Sequence, residues 1–253
     1  MMKLSVFIAG GTDDAGQAIA ERFAREGYAV FIGDRDGEGA RQLAERLTER
    51  YRACARGFQL KTLDEENLYR VFHEIRRLGY ALSCLVLNEA EPGLGQSLFR
   101  TTTAEFMSVL QTNLGWNFIL VRQAAAQMKQ QGGSIVFVNA GPSACNAPNH
   151  LAYVAVQSGQ LGLMQALAQE LGQYRIRVNA VVTGTAAPEE EKKPLRNFPE
   201  GNAVWRHAAA PADVANAVFY LGGQSSASVT GAELPVDCGR TRFFTTPGER
   251  AGY

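Results

Sequence analysis

The residues best suited to binding or chemistry lie in one glycine-rich turn, which reads GGTDDAG over residues 10–16. An apolar run at 4–9 precedes the turn and predicts a buried parallel strand, whereas apolar residues recur at helical spacing from Ala15 onward. A helix that begins at such a turn directs its free N–H groups and the positive end of its dipole toward an anion, so the predicted ligand is a nucleotide phosphate. Asp13 and Asp14 oppose that ligand, because their carboxylates lie where the anion would bind.

The elements that position this turn follow from an alternation of short apolar runs and amphipathic segments. Strands are predicted at 4–9, 28–32, 54–60, 81–87, 134–139, 177–182 and 234–236. Helices are predicted at 15–25, 38–51, 103–129 and 151–173, and two more begin after Asp64 and at Pro211. This order predicts an α/β fold with a single doubly wound parallel sheet, Rossmann-like, with helices on both faces and one domain over 1–253. The polar segment 184–210 is too long for a tight connection and is expected to be a mobile loop of the substrate-contacting type.

The overall composition argues against several functional classes. The formal net charge is +0, with 25 basic and 25 acidic residues, so neither nucleic acid nor an anionic membrane is expected as a partner. Four scattered cysteines and three histidines form no close ligand pair, so no metal site is expected. Cys54 and Cys84 lie in apolar runs and are expected to be buried free thiols. No apolar run is long enough to span a membrane, and the chain start leads directly into the first strand, so a cytoplasmic location is expected.

Short motifs in a fixed order carry a family resemblance over nearly the whole chain. They are Gly10 and Gly16 in the first turn, Asp34 after the second strand, Asn88 and Ala90 after the fourth, Asn113 in the long helix, Tyr153 at the start of the next helix, Arg177-Val178-Asn179-Ala180 with Gly184, and Thr230-Gly231 with Val236-Asp237-Cys238-Gly239. In this order and spacing the chain resembles the short-chain dehydrogenase/reductase family. The resemblance implies a nicotinamide cofactor, hydride transfer between an alcohol and a carbonyl, and an active site of Ser, Tyr, Lys and Asn.

The resemblance carries over only part of the family's catalytic set. Tyr153 matches the family tyrosine and Asn113 the family asparagine, whereas Gln157 stands four residues after Tyr153, where the family has lysine. A free tyrosine has a pKa near 10, so about one in a thousand is ionised at neutral pH without a neighbouring cation. The family serine position, counted back from the tyrosine (153 − 13 = 140), holds Ala140, and Ser143 is a candidate substitute hydroxyl. Tyr153 could instead pack under the adjoining loop without a catalytic role.

On the cofactor side, the resemblance assigns binding to Gly10, Gly11, Asp14, Gly16, Asp34, Asn88 and Gly184. Asp14 stands where the family has its second glycine, and a carboxylate ~4 Å from a phosphate charge would repel it by about 4 kcal/mol at an effective dielectric of about 20. Asp14 could instead cap the first helix and occupy the place of the anion. Asp34 could bind the adenosine ribose and favour NAD over NADP, or it could cap the second helix.

These departures surround one cleft and leave three functions open. The first is a family oxidoreductase that binds NAD, turns over weakly and acts on an unassigned small molecule. The second is a non-redox enzyme that uses the altered nucleotide pocket for other chemistry, with Tyr153 as an acid. The third is a catalytically silent protein that acts as a binding or subunit partner. The small residues on one face of the helix at 151–173 match the family's subunit interface, so a homo-oligomer (dimer or tetramer) is expected; they are Ala152, Ala155, Ser158, Gly159 and Gly162.

Overall fold

The structure is a computed structural model that describes residues 3–88, 95–140, 149–184 and 209–239. The strands in these ranges are β1 (Lys3–Ala9), β2 (Ala29–Asp34), β3 (Ala55–Gln59), β4 (Tyr80–Leu87), β5 (Gly133–Ala140), β6 (Ile176–Thr183) and β7 (Glu233–Val236). The α-helices are α1 (Asp14–Arg25), α2 (Gly37–Tyr51), α3 (Glu65–Arg77), α4 (Thr103–Leu110), α5 (Trp116–Met128), α6 (Leu151–Leu171) and α7 (Pro211–Gly222).

The strands form one sheet in the order β3-β2-β1-β4-β5-β6-β7, and every neighbouring pair is parallel. One face is buried by a core cluster that includes residues of α3, α5 and α6, and the other by a cluster from α1, α2 and α7. A parallel sheet needs such cover on both faces, because its crossover helices and its apolar strands bury each other. The predicted α/β fold, a doubly wound parallel sheet with helices on both faces, is confirmed.

The strand order places a crevice at the carboxyl ends of β1 and β4. β1 pairs with β2 on one side and with β4 on the other, so the chain leaves these two central strands in opposite directions. Ligands of open α/β sheets bind at such a reversal point. The glycine-rich turn follows β1 here, and the N–H of Asn88, just past β4, donates to the carbonyl O of Ala9 at 2.9 Å.

The long helix predicted at 103–129 is interrupted, whereas the other predicted bounds agree to within about two residues. It consists of α4, a π-helical turn at Gln111–Gly115 and α5. Within the turn, Asn113 Nδ2 donates to the carbonyl O of Val109 at 2.8 Å. A side chain bonded to a carbonyl of the preceding turn competes with the helical ladder, which the apolar pattern of the sequence does not reveal.

The two cysteines expected in the core differ in their exposure. Cys84 is buried in β4, and burial raises the pKa of its thiol to about 12. The prediction for Cys54 is wrong, because this thiol is exposed. Cys54 lies one position before β3 begins. The apolar run that contains it therefore extends beyond the part of the sheet that the helices bury.

Two further expectations concern the organisation of the chain. In the part of the chain that the structure describes, no helix combines the length and the hydropathy needed to cross a membrane. The loop predicted at 184–210 lies outside the described residues except at its two ends.

Candidate active and cofactor site

The turn after β1 has positions that only glycine fits. Gly10 has a φ of +79°, in the left-handed region that other residues rarely adopt. A Cβ on Gly16 would lie 2.5 Å from the carbonyl O of Gly10 and 2.7 Å from Cα of Gly11. On Gly11 itself, a Cβ would lie 2.5 Å from Cγ2 of Ile32 in β2. α1 therefore lies directly against the backbone of the turn, which is the close helix–strand packing that the third glycine of a dinucleotide-binding turn permits.

Asp13 caps α1 and joins it to β4. Its Oδ1 accepts hydrogen bonds from the Gly16 N–H (2.7 Å) and from Asn88 Nδ2 (2.9 Å). The same amide nitrogen of Asn88 donates to the carbonyl O of Gly10 at 2.7 Å. The alternative in which Asp14 caps the helix is wrong. Asp13 has the extended backbone that a cap requires (φ −75°, ψ 171°), whereas Asp14 is the first helical residue.

The carboxyl group of Asp13 has crowded and negatively charged surroundings. Part of the side chain reaches solvent, but the turn around the carboxylate removes water from it, and this burial raises the pKa of Asp13 above its ordinary value. The hydrogen bonds from Gly16 and Asn88 oppose that rise, whereas the charges of Asp34 and Asp14 add to it. The ionised form of Asp13 is therefore less favourable here than it would be in the unfolded chain.

Asp34 ties the end of β2 to the same turn. Its Oδ2 accepts hydrogen bonds from the Thr12 N–H (3.0 Å) and the Thr12 hydroxyl (2.9 Å), and its Oδ1 accepts one from the Asp36 N–H (3.0 Å). The alternative in which Asp34 caps α2 is wrong, because Asp36 does so with an Oδ1 that accepts from the Gly39 N–H. Sequence reasoning does not single out Thr12, although its hydroxyl stands at the end of β1 beside the strand that ends in Asp34.

The catalytic positions lie where α6 begins and β5 ends. Tyr153 is half-buried in the first turn of α6. Gln157, one turn later, is only 3% exposed, and its Oε1 accepts a hydrogen bond from the Ala140 N–H at 3.1 Å. The two positions that the resemblance matches to lysine and serine therefore contact each other. A carboxamide is neutral, so Gln157 adds no positive charge to this part of α6.

Buried amides hold this end of β5 against α6. Asn139 Nδ2 donates to the carbonyl O of Gln157 and to Oε1 of Gln160, each at 3.0 Å. Asn139 Oδ1 is buried and has no hydrogen-bond partner among the described residues. Asn139 and Gln160 fall outside the predicted site. Their signal in the sequence is weak, since it consists of one polar residue at the end of an apolar strand and one on a helix rich in small and apolar residues.

The other predicted residues lie at the edges of this region. Asn113 is 2% exposed in the π-helical turn, where Nδ2 bonds to Val109. Gly184 follows β6 and is partly buried. Ser143 lies outside the described residues. Across the described ranges, no three His, Cys, Asp or Glu side chains are grouped so that they could hold a metal ion.

The residues around the turn fit a dinucleotide at the adenosine end and conflict with it at the pyrophosphate. The Asp34 carboxylate has about four lone-pair sites, of which donors from Thr12 and Asp36 use three, so one remains for a ribose hydroxyl. At the turn, Gly16 allows α1 to pack on the backbone of Gly10 and Gly11, but Asp14 occupies the position of the glycine that lets the backbone approach a pyrophosphate. Asp13 opposes that phosphate, because its carboxylate already takes the Gly16 N–H and carries a like charge.

The sheet order, the crevice and the glycine turn together define a Rossmann-like fold. The family model described as enoyl-(acyl carrier protein) reductase matches residues 13–241. The chain is 30% identical over 239 residues to a 3-oxoacyl-(acyl-carrier-protein) reductase of Aquifex aeolicus, with 92% of this chain and 95% of that protein covered. The chain belongs to the short-chain dehydrogenase/reductase family of oxidoreductases.

Other relatives extend the comparison to different substrates and to solved structures. The chain is 30% identical over 248 residues to a 3alpha-hydroxysteroid dehydrogenase of Mediterraneibacter gnavus, with 94% of this chain and 97% of that protein covered. The crystal structure of NAD+-bound xylitol dehydrogenase matches with a TM-score of 0.84 at 23% identity, covering 94% of this chain and 98% of that one.

Gly16→Ala is expected to lower the free energy of unfolding by about 1–3 kcal/mol, because its Cβ would overlap the turn backbone. Urea unfolding followed by circular dichroism measures the change. Gly172→Ala is the matched control, since a Cβ there meets nothing within 4 Å; this change is expected to be neutral or to stabilise by up to about 1 kcal/mol. An equal change in the free energy of unfolding for the two variants would show that α1 is not in close contact with the turn.

Proposed function

We propose that this protein is an NAD(H)-binding oxidoreductase that transfers hydride between an alcohol and a carbonyl, with weak turnover. The observation that carries the weak turnover is the hydrogen bond between Gln157 Oε1 and the Ala140 N–H. A lysine at position 157 would bring an ammonium group one helical turn from Tyr153, whereas the glutamine is neutral and is bonded to the strand. When bound, the nicotinamide supplies the hydride, and the chain's own residues must supply the proton.

Tyr153 is the proposed proton donor to the carbonyl oxygen. Gln157 supplies no cation to favour the ionised form of this hydroxyl, so proton transfer between Tyr153 and the substrate oxygen is expected to be slow in both directions. Asn113 is the proposed second polar residue of the set, held by its bond to Val109. Ala140 offers no hydroxyl to a developing oxyanion, and the loss of one such donor costs about 10²–10³ in rate. Ser143 is the nearest proposed replacement in sequence.

We infer NAD(H) rather than NADP(H) from the way Asp34 is held. Two donors of Thr12 and one of Asp36 fix the carboxylate at the end of β2. A ribose hydroxyl can donate to it, whereas a 2′-phosphate would bring negative charge to within a few Å. The phosphates of either cofactor would meet Asp13, and Asp14 follows it on α1, so the nucleotide site as a whole disfavours added negative charge.

A carbonyl compound is the proposed substrate class. The relatives named above act, by their names, on a 3-oxoacyl thioester, on a 3alpha-hydroxysteroid and on a sugar alcohol. They share a secondary alcohol or its ketone. We therefore choose a soluble 3-oxoacyl thioester, acetoacetyl-coenzyme A, as the first probe.

We also propose that the protein is a homo-oligomer (dimer or tetramer) through the face formed by α4, α5 and α6. α4 has no buried residue in the isolated chain, and Met107 on α4 and Phe118 on α5 are 54% and 47% exposed. On α6, a Cβ on Gly162 would meet nothing within 4 Å. Apolar and small side chains on neighbouring exposed helices favour a second copy as the cover. This face would also serve the alternative, a catalytically silent subunit partner.

Restoring the family residues is expected to raise turnover. The double variant Ala140→Ser/Gln157→Lys should increase kcat for NADH-dependent reduction of acetoacetyl-coenzyme A by about tenfold or more, since it supplies a donor and a cation. Absorbance of NADH measures the rate. Gln165→Lys is the control, because it adds a lysine to the exposed side of α6. Robust wild-type activity that Tyr153→Phe abolishes would refute the weak turnover, and the absence of activity in all variants would favour the silent partner.

The preference for NADH over NADPH is expected to be at least about tenfold in Kd, because the 2′-phosphate would meet the Asp34 carboxylate. Isothermal titration calorimetry with both cofactors measures it. Asp34→Asn should reduce the ratio toward one through loss of the charge. Glu38→Gln removes an exposed charge on α2 and serves as the control. A wild-type preference for NADPH would contradict the assignment of Asp34.

Charge on the proposed interface is expected to reduce the assembly to a smaller species. Met107→Glu/Phe118→Glu places two carboxylates on the α4–α5 face, and burying unpaired charges costs several kcal/mol per interface. Light scattering after size-exclusion chromatography measures the mass. Tyr69→Glu on α3, where Tyr69 is 59% exposed, controls for added surface charge. A monomeric wild type would contradict the proposed homo-oligomer.

A further inference from the structure

We propose that Asp13 makes dinucleotide binding proton-coupled: the protein takes up a proton at the Asp13 carboxylate when the pyrophosphate binds at the turn after β1. This inference rests on the proposed NAD(H) binding and names the chain's own group that regulates it. It concerns how the cofactor site responds to pH and is independent of the rate of hydride transfer.

The geometry leaves one particular atom for the proton. Asp13 Oδ1 already accepts from the Gly16 N–H and from Asn88 Nδ2, at 2.7 and 2.9 Å. A proton on Oδ1 would displace these donors, so Oδ2 is the site for protonation. The cap of α1 and the link to β4 then persist in both charge states.

Among the described residues, the charged groups around Asp13 make its ionised form less favourable. Asp14 stands beside it at the start of α1, and Asp34 faces it from the end of β2. Asn88, from the end of β4, is neutral and contributes only a hydrogen bond. Burial in the turn acts in the same direction as the two neighbouring carboxylates, so the pKa of Asp13 is already raised before any ligand binds.

A bound pyrophosphate adds further negative charge at this point. The charge raises the pKa of Asp13 further, and a proton on Oδ2 converts a repelled carboxylate into a donor toward a phosphate oxygen. The proton comes from solvent and is released again when the dinucleotide leaves. By linkage, the affinity should therefore fall as pH rises through the window between the two pKa values, by up to about tenfold per pH unit for one proton.

The experiment is calorimetric titration of the full-length wild type with NAD+ at one mildly acidic pH, in two buffers that differ in ionisation enthalpy. The difference in observed enthalpy between buffers gives the number of protons taken up on binding. The dissociation constant is then followed from mildly acidic to mildly alkaline pH.

Asp13→Asn keeps both Oδ1 hydrogen bonds and the cap, and removes the titrating group. Because ionisation of Asp13 opposes folding, this variant is not expected to lose stability. Asp14→Asn is the matched control, since it removes a neighbouring charge without touching the cap.

The expected result is proton uptake by the wild type, with a Kd that rises with pH. Asp13→Asn should bind more tightly, with no proton uptake and a flat pH profile, whereas Asp14→Asn should retain the uptake. Binding by Asp13→Asn alone, with none by the wild type at any pH, overturns the proposal, because the Asp13 carboxylate then blocks binding and takes up no proton. Wild-type binding without proton uptake overturns it while leaving the proposed NAD(H) binding intact, and so does loss of the uptake in Asp14→Asn only. If no variant binds NAD+ at any pH, the proposed cofactor binding fails and this inference falls with it.

Discussion

The contact between α1 and the turn after β1 is the constraint on which the site depends. A Cβ on Gly16 would meet the backbone of Gly10 and Gly11 within 2.7 Å, so the helix can sit this close only with glycine there. That closeness lets Asp13 cap the helix and meet Asn88 from β4, and it places Thr12 beside Asp34 from β2. The ends of three strands are thus tied to one turn by hydrogen bonds from four side chains. A ligand that enters the crevice must fit within these bonds or replace them.

The changes on the two sides of the cleft act in the same electrostatic direction. Around the turn, Asp13, Asp14 and Asp34 provide three carboxylates. On the opposite side, the family's lysine position holds Gln157, whose carboxamide is bonded to the Ala140 N–H. Asp34 matches the family pattern, whereas Asp14 adds negative charge near an anionic cofactor and Gln157 supplies no positive charge. We propose that these two changes together lower both cofactor affinity and acid–base catalysis.

The buried amides at the end of β5 give this second change a structural basis. Asn139, Gln157 and Gln160 connect β5 to α6 by side-chain hydrogen bonds, and all three residues are buried. The neutral Gln157 side chain accepts from the Ala140 N–H and its backbone carbonyl accepts from Asn139, so these buried groups are paired without a charged residue. The residues Asn139, Gln157 and Gln160 are all neutral amides, and their hydrogen bonds hold the end of β5 against α6.

The strands, the helices and their order follow from the sequence alone, because apolar runs and helical periodicity are local signals. The cap at Asp64 and the glycine turn are recognisable for the same reason. Only the tertiary structure decided which of two adjacent aspartates caps α1, since the two side chains are identical. Asp13 is the cap because the Gly16 N–H donates to its carboxylate. The tertiary structure also decided that Asp34 bonds to Thr12, 22 positions away, and that Gln157 turns toward Ala140, 17 positions away. These bonds join different elements, so they depend on the packing of the sheet and helices, which no short stretch of sequence encodes.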